Sequence, residues 1–142
     1  MNSNFLKNNI MTQEDKDLLL KDLCARIPYG VKGIIKGGDV VTTPLKWYAE
    51  QTLELSIGYM VVKHGWRPYL FPLSSMTEEQ KYRCPIGIAN LETFIKNESW
   101  TYLELNPDSI LCFIGWLNKN HFDYRELIPK GLAIDATGLN IY

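Results

Sequence analysis

Residues 52–71, TLELSIGYMVVKHGWRPYLF, hold the pattern that most directly indicates the fold. Over residues 52–62, apolar side chains alternate with polar or small ones, which places five apolar side chains on one face of an extended strand. The His-Gly pair at 64–65 indicates a turn, and residues 66–71 indicate a second strand that ends at a proline. The two strands are close enough in sequence to form a hairpin.

Shorter strand patterns lie on either side of this stretch. Apolar residues within 31–35 lead into the Gly-Gly-Asp turn signal at 37–39, and the β-branched residues 40–42 follow. These connections are too short to hold crossover helices, so we predict an antiparallel meander of three or four strands. Residues 132–134 match one further short strand, which gives three to five strands in all.

Two long helix patterns flank the strands. Thr12 can cap the first turn of a helix whose apolar residues recur at helical spacing as far as Arg26, before Pro28 ends it. Asn106, followed by proline at the first helical position, indicates the start of another helix, which we expect to end within 118–121.

Capping boxes predict two shorter helices. Residues 75–78 and 77–80 each match this motif, and the helix that follows them should end near Arg83. Residues 123–126 match it as well, and the helix they begin should be ended by Pro129 after about one and a half turns.

Together these patterns predict an α+β fold, in which a small antiparallel β-meander packs against N-terminal and C-terminal helices. Residues 84–99 permit a short helical turn, and residues 100–105 permit an edge strand. We expect residues 1–11 to form a flexible lead and residues 12–142 to form a single α+β domain.

The composition narrows the class of protein. The chain has 142 residues, of which 46% are hydrophobic and 22% charged, and its formal net charge is -1. These values are ordinary for a globular domain, and they exclude a disordered chain, a collagen-like repeat and a small disulfide scaffold. The balanced charge also makes a general nucleic-acid binder improbable, because counterion release needs an excess of Lys and Arg.

The sequence gives no sign of a membrane or of secretion. It holds no apolar run of the roughly 18 residues that indicate a membrane span, and residues 1–10 lack the basic and apolar regions of a signal peptide. We therefore expect a cytoplasmic protein without membrane contact.

Three longer strings resemble a known set of proteins. They are MTQEDKDLLLKDLCARIPYGV at 11–31, RPYLFPLSSMTEEQ at 67–80 and WLNKNHFDYRELIPKGLAI at 116–134. They resemble a family of small proteins of gut anaerobic bacteria and of the phages and prophages of those hosts, a family with no assigned activity. The resemblance implies an intracellular, phage- or prophage-associated protein, and it carries over no functional residue.

Motifs for cofactors, metals or catalysis are missing from the sequence. The glycines between 30 and 38 match neither a dinucleotide-binding nor a P-loop motif. His64 and His121, the two histidines, have no ligand partner at helical spacing, and the three cysteines form no CxxC pair. We therefore predict no metal, no cofactor and no catalytic residue.

Aromatic residues in the strand region suggest a first binding site. Trp66 and Tyr69 point to opposite sides of a regular strand, so one of them is expected at the surface. Arg67 lies between them, and Pro68 blocks one ladder position and so leaves an edge for a partner. A partner strand or peptide could pair there.

The segment 118–124, NKNHFDY, suggests a second site. It is either a capped connection in which Phe122 staples two helices, or a recognition loop that presents Asn120, His121 and Tyr124. The predicted binding residues are Trp66, Arg67, Tyr69, His121 and Tyr124.

These expectations favour a non-enzymatic module that binds another protein. A first alternative is a single-stranded nucleic-acid binder that uses the sheet aromatics. It requires an exposed ring beside a basic face made of Lys46, Lys63, Arg67 and Lys81. A second alternative is a small hydrolase-like enzyme with a deep pocket that has His121 or Cys84 in its wall.

Overall fold

The computed structural model describes residues 11–35, 40–42, 65–97, 103 and 105–142. Four α-helices lie in these ranges: α1 (Gln13–Arg26), α2 (Glu78–Tyr82), α3 (Ile88–Asn97) and α4 (Pro107–Lys119). The strands are β1 (Lys32–Ile34), β2 (Val40–Thr42), β3 (Arg67–Pro72), β4 (Phe122–Asp123) and β5 (Ile134–Asp135). The predicted lead at 1–10, the turn at 37–39 and the strand at 52–62 lie outside the described residues, as does most of the predicted edge strand at 100–105.

Three of the four described helices begin at predicted caps. The Thr12 side chain accepts a hydrogen bond from the Asp15 amide at 3.1 Å, and α1 ends at Arg26 as expected. Of the two alternatives for α2, the capping box that begins at Thr77 is the one formed. Asn106 caps α4 through the Ser109 amide at 2.8 Å. The prediction of these helices is confirmed.

The sheet is mixed, so the prediction of an antiparallel meander is wrong. Neighbouring strands follow the order β2-β1-β3-β4, and β5 also pairs with β3. β1 runs antiparallel to β2 and to β3, whereas β4 and β5 run parallel to β3. The parallel partners come from far downstream, and α2, α3 and α4 fill the crossover between β3 and β4. The coarser α+β class is confirmed.

Strand β3 is covered on both faces, as is usual for a strand with parallel neighbours. Trp66, just before it, and Leu70 within it belong to a core cluster with Leu19 and Leu23 of α1. Phe71 packs against a second cluster, which is built from α3, α4, β4 and the residues that flank α2. The strand therefore lies between α1 on one side and α3 and α4 on the other.

The predicted helix after Asp123 is also wrong. Residues 127–131 form turns, and Glu126 has a φ of 58°, which the right-handed helix does not permit. Asp123 does cap this segment, because its two carboxylate oxygens accept the Leu127 and Ile128 amides at 2.9 and 2.8 Å. Asp123 is therefore a cap, as the sequence predicts, but the segment that it caps is a turn and not a helix.

Among the helices in the described ranges, none combines the length and the apolar character needed to cross a bilayer.

Candidate functional site

A cleft lies where β3 and β4 leave the sheet. The two strands are parallel, and Pro72 pairs with Asp123. The segments that follow the two strands therefore leave the sheet at the same edge. The carboxyl ends of adjacent parallel strands are a common place for ligand sites, because the following loops separate there and leave a crevice. The cleft has a volume of about 520 Å³, which is within the usual range for binding sites.

The walls of the cleft come from three segments. One segment follows β3, one follows β4, and the third is the C-terminal half of α3. The lining residues are Pro72, Leu73, Ser74, Phe94, Ile95, Asp123, Tyr124, Arg125, Glu126, Ile128 and Pro129. Six of them are proline, aliphatic or aromatic hydrocarbons, and the polar groups are concentrated in residues 123–126. The cleft is therefore apolar on one side and polar on the other.

Asp123 shapes the polar side without offering its carboxylate to a ligand. Its side chain is almost completely buried, and both of its oxygens accept backbone amides from Leu127 and Ile128. These two bonds fold the 124–128 segment back over the end of β4. The role of Asp123 in the cleft is therefore to hold one wall in place.

Behind the polar side lies a buried network of charged groups. The Asp22 carboxylate accepts Nε of Arg26 at 2.8 Å and Nη1 of Arg125 at 3.0 Å. Arg26 also donates from Nη2 to the Phe122 carbonyl oxygen at 2.6 Å, and this bond ties α1 to β4. Nη1 of Arg26 is buried and has no hydrogen-bond partner among the described residues. In these ion pairs, one carboxylate serves two guanidinium groups.

Both arginines lie close to the Tyr124 ring. The guanidinium carbon of Arg26 lies 5.2 Å from the ring centroid and that of Arg125 lies 4.8 Å from it, both within cation–π range. The Tyr124 hydroxyl donates to Oδ1 of Asn118 at 2.8 Å. Burial raises the pKa of Tyr124, so the phenol stays neutral near pH 7. Arg125 is thus held over a fixed aromatic face.

The first predicted site is not at the surface. Trp66 and Tyr69 are both buried, at 0% and 6% exposure, so the prediction of an exposed ring is corrected. The reason is that the core clusters cover both faces of β3, so opposite orientation does not bring either ring to the solvent. Arg67 is partly buried and donates to the carbonyl oxygens of Trp66 and Gly131 at 2.9 and 3.4 Å. Its hydrogen bonds tie loop 131 to the strand.

The second predicted site is divided by the structure. Tyr124 lines the cleft, whereas His121 lies at the other end of β4 and does not. His121 has a φ of 61°, and its ring stacks on Tyr142 with centroids 3.6 Å apart. Burial, with smaller contributions from the charges of Arg26 and Lys32, lowers the pKa of His121 to about 4. His121 is therefore neutral near pH 7 and packed as a core group.

The two alternative functions find little support in this geometry. For the nucleic-acid alternative, Lys46 and Lys63 lie outside the described residues, and the two rings nearest to Arg67 are buried. For the hydrolase alternative, neither His121 nor Cys84 lines the cleft. Within the described ranges, no group of three or more His, Cys, Asp or Glu side chains is arranged to hold a metal ion.

Sequence reasoning missed Arg125 and Asp22. Asp22 and Arg26 are four residues apart on α1, which is the spacing of a helical ion pair. Ion pairs with this spacing usually lie on the solvent-exposed face of a helix, so the spacing alone does not indicate a buried site. Nothing local marks Arg125, because its partner lies 103 residues away in sequence. No family model, curated protein or solved structure matches this chain. The resemblance to the gut-bacterial and phage family therefore stays a prediction.

Proposed function

We propose that this protein is a non-enzymatic interaction module, and that it binds a short peptide segment of a partner protein in the cleft at the carboxyl ends of β3 and β4. The observation that carries the proposal is the position of Tyr124 and Arg125, which lie side by side in the cleft wall. Tyrosine and arginine are among the residue types that most often dominate the energy of protein interfaces.

The apolar part of the cleft lining supports the same function. Leu73, Phe94, Ile95 and Ile128 give the cleft an apolar surface for the side chains of a bound segment. Most of these residues are partly exposed, so filling the cleft would remove apolar surface from water. An apolar centre with polar groups at its edge is the usual anatomy of a protein interface.

Selection from a displayed library of short random peptides tests the proposal. The library is passed over the wild-type chain and over the variant Ser74→Trp, whose indole would occupy the cleft from an exposed position in its wall. We expect enriched peptides that bind the wild type and bind Ser74→Trp at least about tenfold more weakly. Lys21→Trp, which adds the same ring at an exposed position on α1 away from the cleft, serves as the control and should bind normally.

Two results would contradict the proposal. One is the absence of any enriched peptide; the other is a set of peptides that bind Ser74→Trp and the wild type equally well. Circular dichroism of both tryptophan variants establishes that loss of binding does not come from loss of the fold.

A further inference from the structure

We infer that the cleft selects peptides in which an acidic side chain lies next to an apolar one, and that the guanidinium of Arg125 binds the acidic group. The inference rests on the proposed function, because it specifies the chemistry of the segment that the cleft would take. Its basis is the network behind the polar wall of the cleft, in which one carboxylate pairs with two guanidinium groups.

Arg125 has donors to spare. A guanidinium group has five N–H donors in a planar fork, and a carboxylate can accept two of them side by side. Among the described residues, the only hydrogen bond from the Arg125 side chain is the one from Nη1 to Asp22. The side chain is 19% exposed, so it can still be reached from the cleft.

The carboxylate that pairs with Arg125 is shared. Asp22 also pairs with Arg26 at 2.8 Å, and both of these side chains are fully buried. Solvent screens charges in this partly buried network only weakly. The guanidinium of Arg125, which shares its carboxylate with Arg26, therefore keeps much of its attraction for an anion. The unpartnered Nη1 of Arg26 is a further sign that the network holds too few acceptors.

Two other acidic groups in the cleft wall do not pair with Arg125. Both oxygens of Asp123 are turned to backbone amides, and in the described ion pairs this residue is not a partner of Arg125. Glu126 is exposed and forms no ion pair in the described part of the chain, so water and salt screen its charge. The attraction of Arg125 for an acidic group of the ligand would therefore exceed the repulsion from Glu126.

The site is also preorganised. The Arg125 guanidinium packs over the Tyr124 ring, whose hydroxyl is fixed by Asn118. Ordering a flexible arginine on binding costs free energy, and here much of that ordering is already present in the free protein. An apolar residue next to the acid would contact Phe94 and Ile95 across the cleft.

The experiment is a double-mutant cycle with synthetic peptides from the library selection. Each peptide is compared with its Glu→Gln or Asp→Asn counterpart, on the wild-type chain and on Arg125→Gln, by isothermal titration calorimetry. We expect each single change to weaken binding about tenfold, and the second change to add little once the first is made. Arg125→Lys should recover part of the loss, because it keeps the charge but not the fork.

Glu126→Gln gives an independent measurement, because it leaves the buried network intact. It should strengthen the binding of the acidic peptides about twofold and leave that of their amide counterparts unchanged. Thermal unfolding of Arg125→Gln establishes that the variant is folded at the temperature of the titration.

The outcomes separate this inference from the proposed function. Peptides that need the open cleft but show no preference for an acidic residue would overturn the inference and leave the proposed function standing. Additive losses in the cycle would overturn it too, because the two groups would then not meet. If no peptide binds in the cleft, the proposed function fails and the inference fails with it.

Discussion

At some positions in this protein, close contacts do not permit a larger side chain. Gly33 in β1 is the clearest case, since a Cβ atom added there would overlap the indole of Trp66 and lie 2.6 Å from the Arg67 carbonyl oxygen. The ring of Trp66 is completely buried, so it cannot move out into solvent. The bare backbone of Gly33 is therefore what lets β1 approach β3 at this register.

Gly33→Ala should destabilise the protein by about 2 kcal/mol, because overpacking in a filled core outweighs the gain from removing a flexible glycine. Urea unfolding followed by circular dichroism measures the change. Gly115→Ala in α4 is the matched control. Its added Cβ would meet the Tyr29 hydroxyl at 3.6 Å, an ordinary contact, so the variant should be more stable by about 0.5–1 kcal/mol. Equal effects of the two substitutions would contradict this packing.

His121 gives the protein a pH-dependent stability. Its pKa is about 4 in the folded protein and 6.5 in an unperturbed chain, so the unfolded state takes up a proton first as the pH falls. The contribution of His121 is complete above pH 6.5 and is lost progressively down to pH 4. The loss amounts to about 3 kcal/mol, since one pKa unit corresponds to about 1.4 kcal/mol.

His121→Asn separates this effect from that of the carboxylates. Asparagine tolerates the left-handed backbone at this position but does not titrate. Urea unfolding of both proteins at several pH values should give a steeper acid slope for the wild type between pH 4 and 6.5. Parallel slopes in the two proteins would rule out a buried, neutral His121.

At the scale of elements, caps could be predicted from the sequence and pairings could not. Thr12, Thr77 and Asn106 were each identified as helix caps because a cap and the amides that it binds lie within three residues. β4 has two residues and no apolar alternation, and its partner is β3, about fifty residues earlier. Residues 122–123 form a strand only because they pair with β3, and that pairing cannot be seen in the local sequence.

The candidate site follows the same rule. Tyr124 was predicted because aromatic and polar residues alternate in 118–124, which is a local pattern. The cleft itself depends on the parallel pairing of β3 with β4, and the ion pair of Arg125 depends on Asp22 of α1. Neither relation leaves a trace in the nearby sequence, so the predicted site contained one residue of the cleft wall and missed its arginine.

Asp123 links the end of β4 to the turn that forms the cleft wall. Asp123→Ala should destabilise the protein by about 2–3 kcal/mol, because the Leu127 and Ile128 amides lose their acceptors. Asp135→Ala is the control. It removes a similar cap from the exposed Thr137 amide, which water can satisfy, so it should cost less than about 1 kcal/mol. Amide hydrogen exchange at 127 and 128 should also accelerate in Asp123→Ala and stay slow in the control.

At the scale of the whole molecule, distant segments of the chain are joined through a few polar groups. Arg26 joins α1 to β4, and Tyr142 joins residues that are 110 and 73 positions away. The register of β1 and β3 places Lys32 beside Tyr69, where the two strands diverge. The Tyr142 hydroxyl fills this gap, since it accepts the Lys32 amide at 2.8 Å and donates to the Tyr69 carbonyl oxygen at 2.9 Å.

Tyr142→Phe keeps the ring that stacks on His121 and removes only the bridging hydroxyl. It should destabilise the protein by about 1 kcal/mol near pH 7, because the half-buried Tyr69 carbonyl loses its donor, whereas water can satisfy the exposed Lys32 amide. Burial also raises the pKa of Tyr142 to about 12 from 10.0, so the unfolded state loses its proton first and the wild type loses stability as the pH rises through this range. The variant lacks this proton, so its alkaline slope in urea unfolding should be flatter than that of the wild type. Tyr82→Phe, at a position 78% exposed, should change neither quantity, and a wild-type-like alkaline slope in Tyr142→Phe would mean that the hydroxyl does not close the ladder.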